Sequence, residues 1–186
     1  MNPPIMIHAP SLLAKTPGSF EIPAGATLEW TQPSVWRSEW SLGLGGRPFA
    51  TLRRSNWAGW VHAIEAPSGR WTLRYQWIDN LQLSAEGAAE PVLRYRSGWL
   101  GNGRILVTDG EELRWRRFWA GPFACDREIQ TRDESPLLRF HYRRTLFRLS
   151  GSIEVTDLGR RHAKLEALLV LGWALAVLTR HRSHPH

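Results

Sequence analysis

Arginines at alternate positions of short segments are the residues of this chain best suited to binding chemistry. The guanidinium group presents a planar fork of donors that matches phosphate oxygens two at a time. The formal net charge of +7 agrees with an anionic partner, although basic charge alone is equally compatible with a merely solvated face. The candidate anion-binding residues are Arg74, Arg94, Arg96, Arg114, Arg116, Arg139 and Arg143.

Residue patterns that would indicate catalysis are weak. The sequence contains no G-x-S-x-G, no H-E-x-x-H and no glycine-rich phosphate loop ending in Lys-Ser or Lys-Thr. Cys125 stands in a strand-like segment without a nearby histidine, so we interpret it as a small buried residue. The carboxylate pairs Asp126/Glu128 and Asp133/Glu134 are interpreted as surface groups. We therefore expect no enzymatic activity and no cofactor.

Two groups of acidic or histidine residues contain side chains that can bind metals. The C-terminal histidines His181, His184 and His186 lie on a terminal tail, which offers no closed set of ligands. Residues 109–112 include three carboxylates but lack the alternating spacing of a calcium-binding loop. We predict a hairpin turn there, and no metal site in the chain.

Length and composition indicate one compact domain. The chain has 186 residues, of which 42% are hydrophobic, enough to form a sizeable core. Residues 1–20 lack the charged start and apolar centre of a signal peptide. The single cysteine excludes a disulfide framework and is typical of a reducing compartment. These features predict a cytoplasmic location.

Between residues 27 and 155 the sequence predicts β-structure throughout. Short apolar–polar alternations are separated by dipeptides such as Gly45-Gly46, Ser68-Gly69 and Asp109-Gly110, which are typical of hairpins. No helical periodicity of useful length occurs before Leu158. The predicted strands are 27–31, 35–42, 48–54, 59–65, 70–77, 79–84, 90–97, 103–108, 111–118, 123–130, 136–143 and 146–155.

Alternation within these strands separates an apolar face from a basic one. In 90–97, Leu93 and Tyr95 share one face while Arg94 and Arg96 share the other, because successive side chains of a strand point to opposite sides. The same separation occurs in 111–118 and in 136–143. One side of the sheet is therefore predicted to be aromatic and aliphatic, and the other basic.

An apolar run near the C-terminus, LEALLVLGWALAVL from Leu165 to Leu178, predicts a helix without a polar face. Its uninterrupted part, residues 167–178, would span only about 18–20 Å, whereas the core of a bilayer is ~30 Å thick. A helix that is apolar on all sides must be enclosed. We expect it to be buried in protein, with re-entrant or tilted membrane insertion as the alternative.

Twelve strands with one shared apolar face predict a closed barrel. Side chains alone fill a barrel of about eight strands, and a larger one leaves space inside. A helix about 10–12 Å across fits such a space. We predict a mainly β fold: a single twelve-stranded closed β-barrel with a C-terminal hydrophobic α-helix running through its core. The competing interpretation is a β-sandwich followed by a C-terminal membrane anchor.

This order of elements resembles the tubby C-terminal-like superfamily, and most closely its LURP-one-related and phospholipid scramblase branches. The resemblance covers about residues 27–180 and implies a central helix at 158–180. It leaves a Pro- and Gly-rich arm at 1–26 and a flexible His-rich tail at 181–186. The resembling segments are LEWTQPSVWRSEWSLGLGGRPFATLRR, VTDGEELRWRR, SGSIEV and LLVLGWALAVL.

The resemblance implies a non-enzymatic binding or scaffold domain, since tubby domains bind phosphoinositide headgroups through basic side chains. The expected partner is an anionic lipid surface that the protein contacts peripherally, without a transmembrane span, and another protein is an open alternative. Scramblase-like lipid handling is a second alternative, although the sequence lacks the cysteine cluster of many scramblases. Nucleic acid is less favoured, because the aromatic residues alternate onto the predicted inner face.

Overall fold

The structure, a computed structural model, contains twelve β-strands and two α-helices within the residues it describes: 22–31, 39–55, 61–77, 80–119, 125–144 and 149–181. The strands are β1 Thr27–Thr31, β2 Glu39–Leu44, β3 Arg47–Arg54, β4 Val61–Ala66, β5 Gly69–Trp77, β6 Asn80–Ala85, β7 Leu93–Ser97, β8 Gly103–Val107, β9 Glu112–Trp119, β10 Cys125–Gln130, β11 Pro136–Arg144 and β12 Leu149–Val155. A 3₁₀ turn covers Trp99–Gly101, and the helices are α1 Asp157–Arg160 and α2 Leu165–His181.

The twelve strands form one closed antiparallel barrel. Each strand pairs with the next one in the chain, and β1 closes the ring by pairing with β12, so that Leu28 lies opposite Ile153. This confirms the predicted twelve-stranded closed barrel and excludes the β-sandwich alternative. Several predicted strand starts, including those at residues 35, 59, 123 and 146, lie outside the described part of the chain.

The alternation of side chains follows the predicted pattern. In β7, Leu93 and Tyr95 are buried, whereas Arg94 and Arg96 are exposed. The same holds for the buried pair of β9, Leu113 and Trp115. Each strand therefore contributes its apolar face to one common core, and burial of that face is the main stabilising contribution.

The two ends of the barrel differ in their connections. At one end, which we call the tight-turn end, short turns join β2 to β3, β4 to β5 and β8 to β9. Gly45 and Gly46 have φ angles of 57° and 78° in the β2–β3 turn, a region that glycine adopts without steric penalty. At the opposite end, the described connection is the short segment between β7 and β8.

The predicted helix at 158–180 is divided into two. The hydroxyl of Thr156 accepts a hydrogen bond from the Gly159 backbone at 3.0 Å and caps α1. His162 then interrupts the helix, because its Nε2 lies 2.9 Å from Glu111 Oε2 and its Nδ1 accepts from the Lys164 backbone N–H at 3.1 Å. Local periodicity predicts neither contact, so the sequence indicates a continuous helix where the structure has a turn.

Helix α2 is buried along its apolar length. Every side chain from 167 to 178 is buried, which confirms a helix enclosed on all sides. Its N-terminal end is held at the tight-turn end by Glu166, whose Oε1 accepts from the backbone N–H and the hydroxyl of Ser68, at 3.1 and 2.6 Å. Among the described residues no helix combines the length and apolar character needed to cross a bilayer.

The described part of the chain begins within the predicted arm and ends at the first residue of the predicted tail. Ile22 falls within the predicted N-terminal arm, yet it is buried in the core. The barrel therefore draws on the last residues of that arm. Residues 1–21 and 182–186, which include His184 and His186, lie outside the described part of the chain.

Candidate anion-binding surface

The predicted arginines lie on four alternate strands, and those whose side chains are described lie on the outer face of the barrel. Arg74, Arg94 and Arg96 are exposed, and Arg114, Arg116 and Arg139 are half-buried. Arg143 lies in β11, but its side chain is outside the described part of the structure. Their strands are β5 for Arg74, β7 for Arg94 and Arg96, β9 for Arg114 and Arg116, and β11 for Arg139.

Three arginines on neighbouring strands stand directly opposite one another. In the strand register Arg96 pairs with Arg104, and Arg104 pairs with Arg114. Opposite residues on one face have Cβ atoms about 4.5–5.5 Å apart, and like charges there are destabilising. We call Arg96, Arg104 and Arg114 the arginine row.

Arg104 was missed by the sequence reasoning. Its strand was predicted at 103–108, and its position beside the inward Ile105 places it on the basic face by the same alternation. The signal was therefore present in the segment GRILV, where a single outward arginine is less conspicuous than the pairs on β7 and β9.

The arginine row belongs to a larger basic sector on the outer face of β7, β8 and β9. This sector consists of Arg94, Arg96, Arg104, Arg114 and Arg116. Facing it are three carboxylates that form ion pairs of 3.1–3.4 Å: Glu90 with Arg94, Glu112 with Arg104, and Glu134 with both Arg114 and Arg116. Positive charge is therefore in excess across the sector.

Arg96 differs from its neighbours. Within the described residues it has no carboxylate within ion-pair distance, whereas the Arg104 side chain pairs with Glu112 at 3.4 Å and is 71% exposed. Arg74 lies further round the wall, with Gln82 between it and Arg94 in the register. The centre of the excess charge is thus the arginine row rather than the whole predicted set.

A second sector, on the outer face of β10, β11 and β12, has no excess of positive charge, because three carboxylates surround one arginine and one histidine. We call it the balanced sector, and it consists of Asp126, Glu128, Arg139, His141 and Glu154. Arg139 lies between two carboxylates, 3.1 Å from Glu128 and 3.3 Å from Glu154. Its guanidinium is therefore committed to internal ion pairs, and the structure does not bring it together with the basic sector.

His141 is also held within the balanced sector. Its Nδ1 lies 3.1 Å from Asp126 Oδ2, and its Nε2 lies 3.8 Å from Glu154 Oε2. A general base would need its free ring nitrogen to face a hydroxyl or a substrate. The second nitrogen of His141 instead faces a carboxylate, so this geometry is that of a surface charge network.

A groove of about 600 Å³ lies at the tight-turn end, between α1 and the starts of β1 and β11. Its two cations are Arg139, described above, and Arg160, which pairs with Asp157 and donates to the Val155 carbonyl at 2.8 Å. Both guanidinium groups are therefore engaged by acceptors of the protein itself. This groove is a poorer anion site than the arginine row.

The candidate catalytic and metal-binding residues are dispersed. Glu111 contacts His162, while Asp109 accepts from the Glu111 backbone at 3.2 Å, so the 109–112 segment is organised as a turn. Cys125 lies in β10 with its side chain outside the described part. His181 ends α2, and its side chain is likewise not described. Across the described ranges, no three His, Cys, Asp or Glu side chains are grouped as metal ligands.

The turn between β10 and β11 lowers the pKa of the Asp133 carboxyl. The hydroxyl of Thr131 hydrogen-bonds to Asp133, and the Asp133 backbone and Ser135 add further hydrogen bonds, which together hold the pKa of Asp133 below its ordinary value. The same turn carries Glu134, the carboxylate shared by Arg114 and Arg116. Asp133 therefore supports the turn that partly neutralises the basic sector.

No protein-family model, curated protein or solved structure matches this chain. The resemblance to tubby-like domains therefore remains a prediction, based on the number of strands, their order and the apolar C-terminal helix. What this surface binds has to be inferred from its own geometry and charge.

Proposed function

We propose that the protein is a non-enzymatic binding domain whose basic sector binds the phosphate groups of anionic lipids. The observation that carries the proposal is the arginine row, in which Arg96, Arg104 and Arg114 face one another across three strands. Direct opposition of like charges opposes folding. A bound anion offsets that repulsion, since an arginine fork accommodates phosphate oxygens in a bidentate manner.

The proposal favours lipid over nucleic acid because of where the aromatic rings lie. Tyr95 and Trp115 alternate with the arginines of β7 and β9, and both are buried in the barrel. Proteins that bind single-stranded nucleic acid combine basic side chains with exposed rings on which bases stack. Among the described side chains of β7, β8 and β9, no exposed ring stands between these arginines, which suits a headgroup layer better than a stacked strand.

The proposal describes a peripheral protein at an anionic leaflet, with a cytoplasmic location as the accompanying expectation. An anionic surface attracts each nearby arginine with about 1 kcal/mol. This attraction extends over a Debye length of ~8 Å at physiological salt, so a few engaged arginines give reversible attachment. Catalysis plays no part in this function.

The test is vesicle co-sedimentation across a salt series, with anionic and neutral vesicles in parallel. The triple variant Arg96→Gln, Arg104→Gln, Arg114→Gln should bind anionic vesicles roughly ten- to hundredfold more weakly at low salt. The matched control changes three exposed arginines of β3 and β5 to Gln, namely Arg47, Arg53 and Arg70. The control loses the same net charge and should bind nearly as the unmodified protein does.

Three results would contradict this proposal. If neither vesicle type is bound at physiological salt, the basic sector is only a solvated face. If both triple variants lose binding equally, net charge rather than the arginine row is responsible. If single-stranded or duplex nucleic acid binds far more tightly than anionic vesicles in the same series, the ligand is nucleic acid.

We further propose a tubby-like architecture in which α2 lies along the barrel axis. Burial of every α2 side chain from 167 to 178 supports this placement, as do its contacts with both β7 and β11, which three strands separate in the ring. Deleting residues 158–186 should then unfold the barrel, because the inner face would lose its filling. A truncated chain that retains its thermal transition would contradict this placement.

A further inference from the structure

Trp99 is the most exposed large apolar residue in the described part of the chain. Its exposed fraction is 84%, compared with 46% for Leu158, which is the other large apolar residue on the described surface. The tryptophans of the barrel wall at 30, 40 and 115 are almost fully buried. Trp99 therefore differs from these wall tryptophans, which are part of the core.

The segment that carries Trp99 is tied to the barrel by several hydrogen bonds. The Gly98 backbone N–H donates to the Asn102 carbonyl at 2.7 Å, which closes the connection between β7 and β8. Asn102 Oδ1 accepts from the backbone N–H of Arg117 on β9 at 2.8 Å, and Arg127 Nη1 on β10 donates to the Gly101 carbonyl at 2.9 Å. The segment that carries the exposed indole is thus held in place by hydrogen bonds to β9 and β10.

Two glycines maintain the shape of this connection. Gly101 has a φ of 77°, a backbone conformation that residues with a side chain rarely adopt. A Cβ atom on Gly103 would lie 2.4 Å from the Tyr95 ring, so only glycine allows β8 to begin this close to β7. This close approach packs the start of β8 against β7, directly after the turn that carries Trp99.

Trp99 also lies next to the arginine row. Arg96 and Arg104 face each other on the two strands that this connection joins. At a rise of about 3.3 Å per residue, the Cα atoms of Arg96 and Trp99 are at most roughly 10 Å apart. An indole ring and two outward guanidinium groups therefore share one edge of the barrel.

We propose that Trp99 inserts into the headgroup interface of an anionic bilayer and fixes the orientation in which the arginine row meets it. This inference rests on the proposed function and specifies the bilayer as the partner. Indole rings favour the membrane interface because they combine an apolar body with one polar N–H. The basic sector supplies complementary charge, and the hydrogen bonds that hold this segment in place lower the entropy lost on insertion.

The experiment compares Trp99→Ala with the matched variant Leu158→Ala on anionic vesicles. Leu158 is an exposed apolar residue of α1 at the tight-turn end, away from the arginine row. Trp99→Ala should weaken vesicle binding about tenfold, whereas Leu158→Ala should bind as the unmodified protein. Because apolar insertion is not screened by salt, the loss for Trp99→Ala should be the same factor at every salt concentration.

Binding of inositol hexakisphosphate, a soluble polyphosphate, distinguishes a failure of this inference from a failure of the proposed function. Trp99→Ala should bind this polyphosphate as tightly as the unmodified protein, and its thermal midpoint should be unchanged. Undiminished vesicle binding by Trp99→Ala overturns the inference and leaves the proposed function standing. Equal losses for vesicles and polyphosphate also overturn it. If the unmodified protein binds neither probe, the proposed function fails and the inference fails with it.

Discussion

The basic sector and the balanced sector are built on the same plan and differ only on their outer side. In both, buried apolar residues alternate with outward polar ones, as Tyr95 and Arg96 do in β7 and as Phe140 and Arg139 do in β11. Around Arg139 the neighbouring strands supply Glu128 and Glu154, whereas around Arg104 they supply Arg96 and Arg114. Arg139 is therefore shared by two carboxylates, whereas the five arginines of the basic sector share three carboxylates and leave positive charge in excess.

The difference teaches that an arginine at an alternate position does not by itself make a binding surface. In this barrel, positive charge is in excess where the register places arginine opposite arginine. Where carboxylates flank the guanidinium, its donors are engaged, and an incoming anion must compete with them. Four predictions test this comparison, in order of decreasing expected effect.

The largest effect should come from the interior that both sectors share. A Cβ atom on Gly172 of α2 would lie 2.3 Å from Cζ of Phe140 on β11. Gly172→Ala should therefore lower the free energy of unfolding by about 1–3 kcal/mol through overpacking, as measured by urea denaturation. In an isolated helix the same change would stabilise by about 1 kcal/mol, so an unchanged or increased stability would contradict close packing.

A double-mutant cycle identifies the contact that is responsible. Phe140→Leu shortens the side chain that a Cβ atom at position 172 would meet. The combined variant Gly172→Ala, Phe140→Leu should therefore be more stable than the two separate losses predict, with a coupling of about 0.5–3 kcal/mol. Strict additivity would mean that the penalty of the alanine arises elsewhere in the barrel.

The second prediction contrasts the two sectors through stability alone. Arg139→Gln removes the cation between Glu128 and Glu154 and should lower the free energy of unfolding by up to about 1 kcal/mol. Arg96→Gln removes one of three opposed arginines and should leave stability unchanged or raise it by a few tenths of a kcal/mol. Urea denaturation at low and high salt checks both, and the difference should shrink as salt increases. Equal losses in the free energy of unfolding for the two variants would contradict the distinction between the sectors.

The third prediction concerns the carboxylate that partly neutralises the basic sector. Glu134→Gln should release Arg114 and Arg116 and raise affinity for anionic vesicles by roughly threefold. The matched control is Glu65→Gln on β4, whose carboxylate pairs with Arg70 at 3.7 Å outside the basic sector. Co-sedimentation at low salt measures both variants. If the control raises affinity as much, overall charge rather than the local pairing controls binding.

The smallest effect concerns the turn that carries Glu134. The folded-state pKa of Asp133 is lowered, so its contribution to stability is present above the unfolded-state pKa and is lost as the pH falls through the lower folded-state pKa. Asp133→Asn should therefore reduce stability slightly at neutral pH and not at all in strong acid. An NMR titration should find the pKa of the Asp133 carboxyl below its ordinary value, and an ordinary value would contradict the hydrogen-bonded turn.

Much of the fold could be predicted because its signals are local. The alternation in LRYRS and ELRWRR separates inner from outer residues without knowledge of any other strand. The division between α1 and α2 could not be predicted, since it depends on a contact between His162 and Glu111, residues that are 51 positions apart. For the same reason, the sequence did not distinguish Arg139 from Arg114.

By itself the sequence determined the number of strands, the outer face for those candidate arginines whose side chains are described, and the all-round burial of the C-terminal helix. These follow from the period-2 alternation of strands and from a helix without a polar face, both of which are properties of neighbouring residues. Only the tertiary structure decided which charges meet. The register places Arg104 between Arg96 and Arg114, and the β10–β11 turn brings Glu134 to Arg114 across 20 residues. Electrostatic interaction depends on distance in space, which local sequence does not encode.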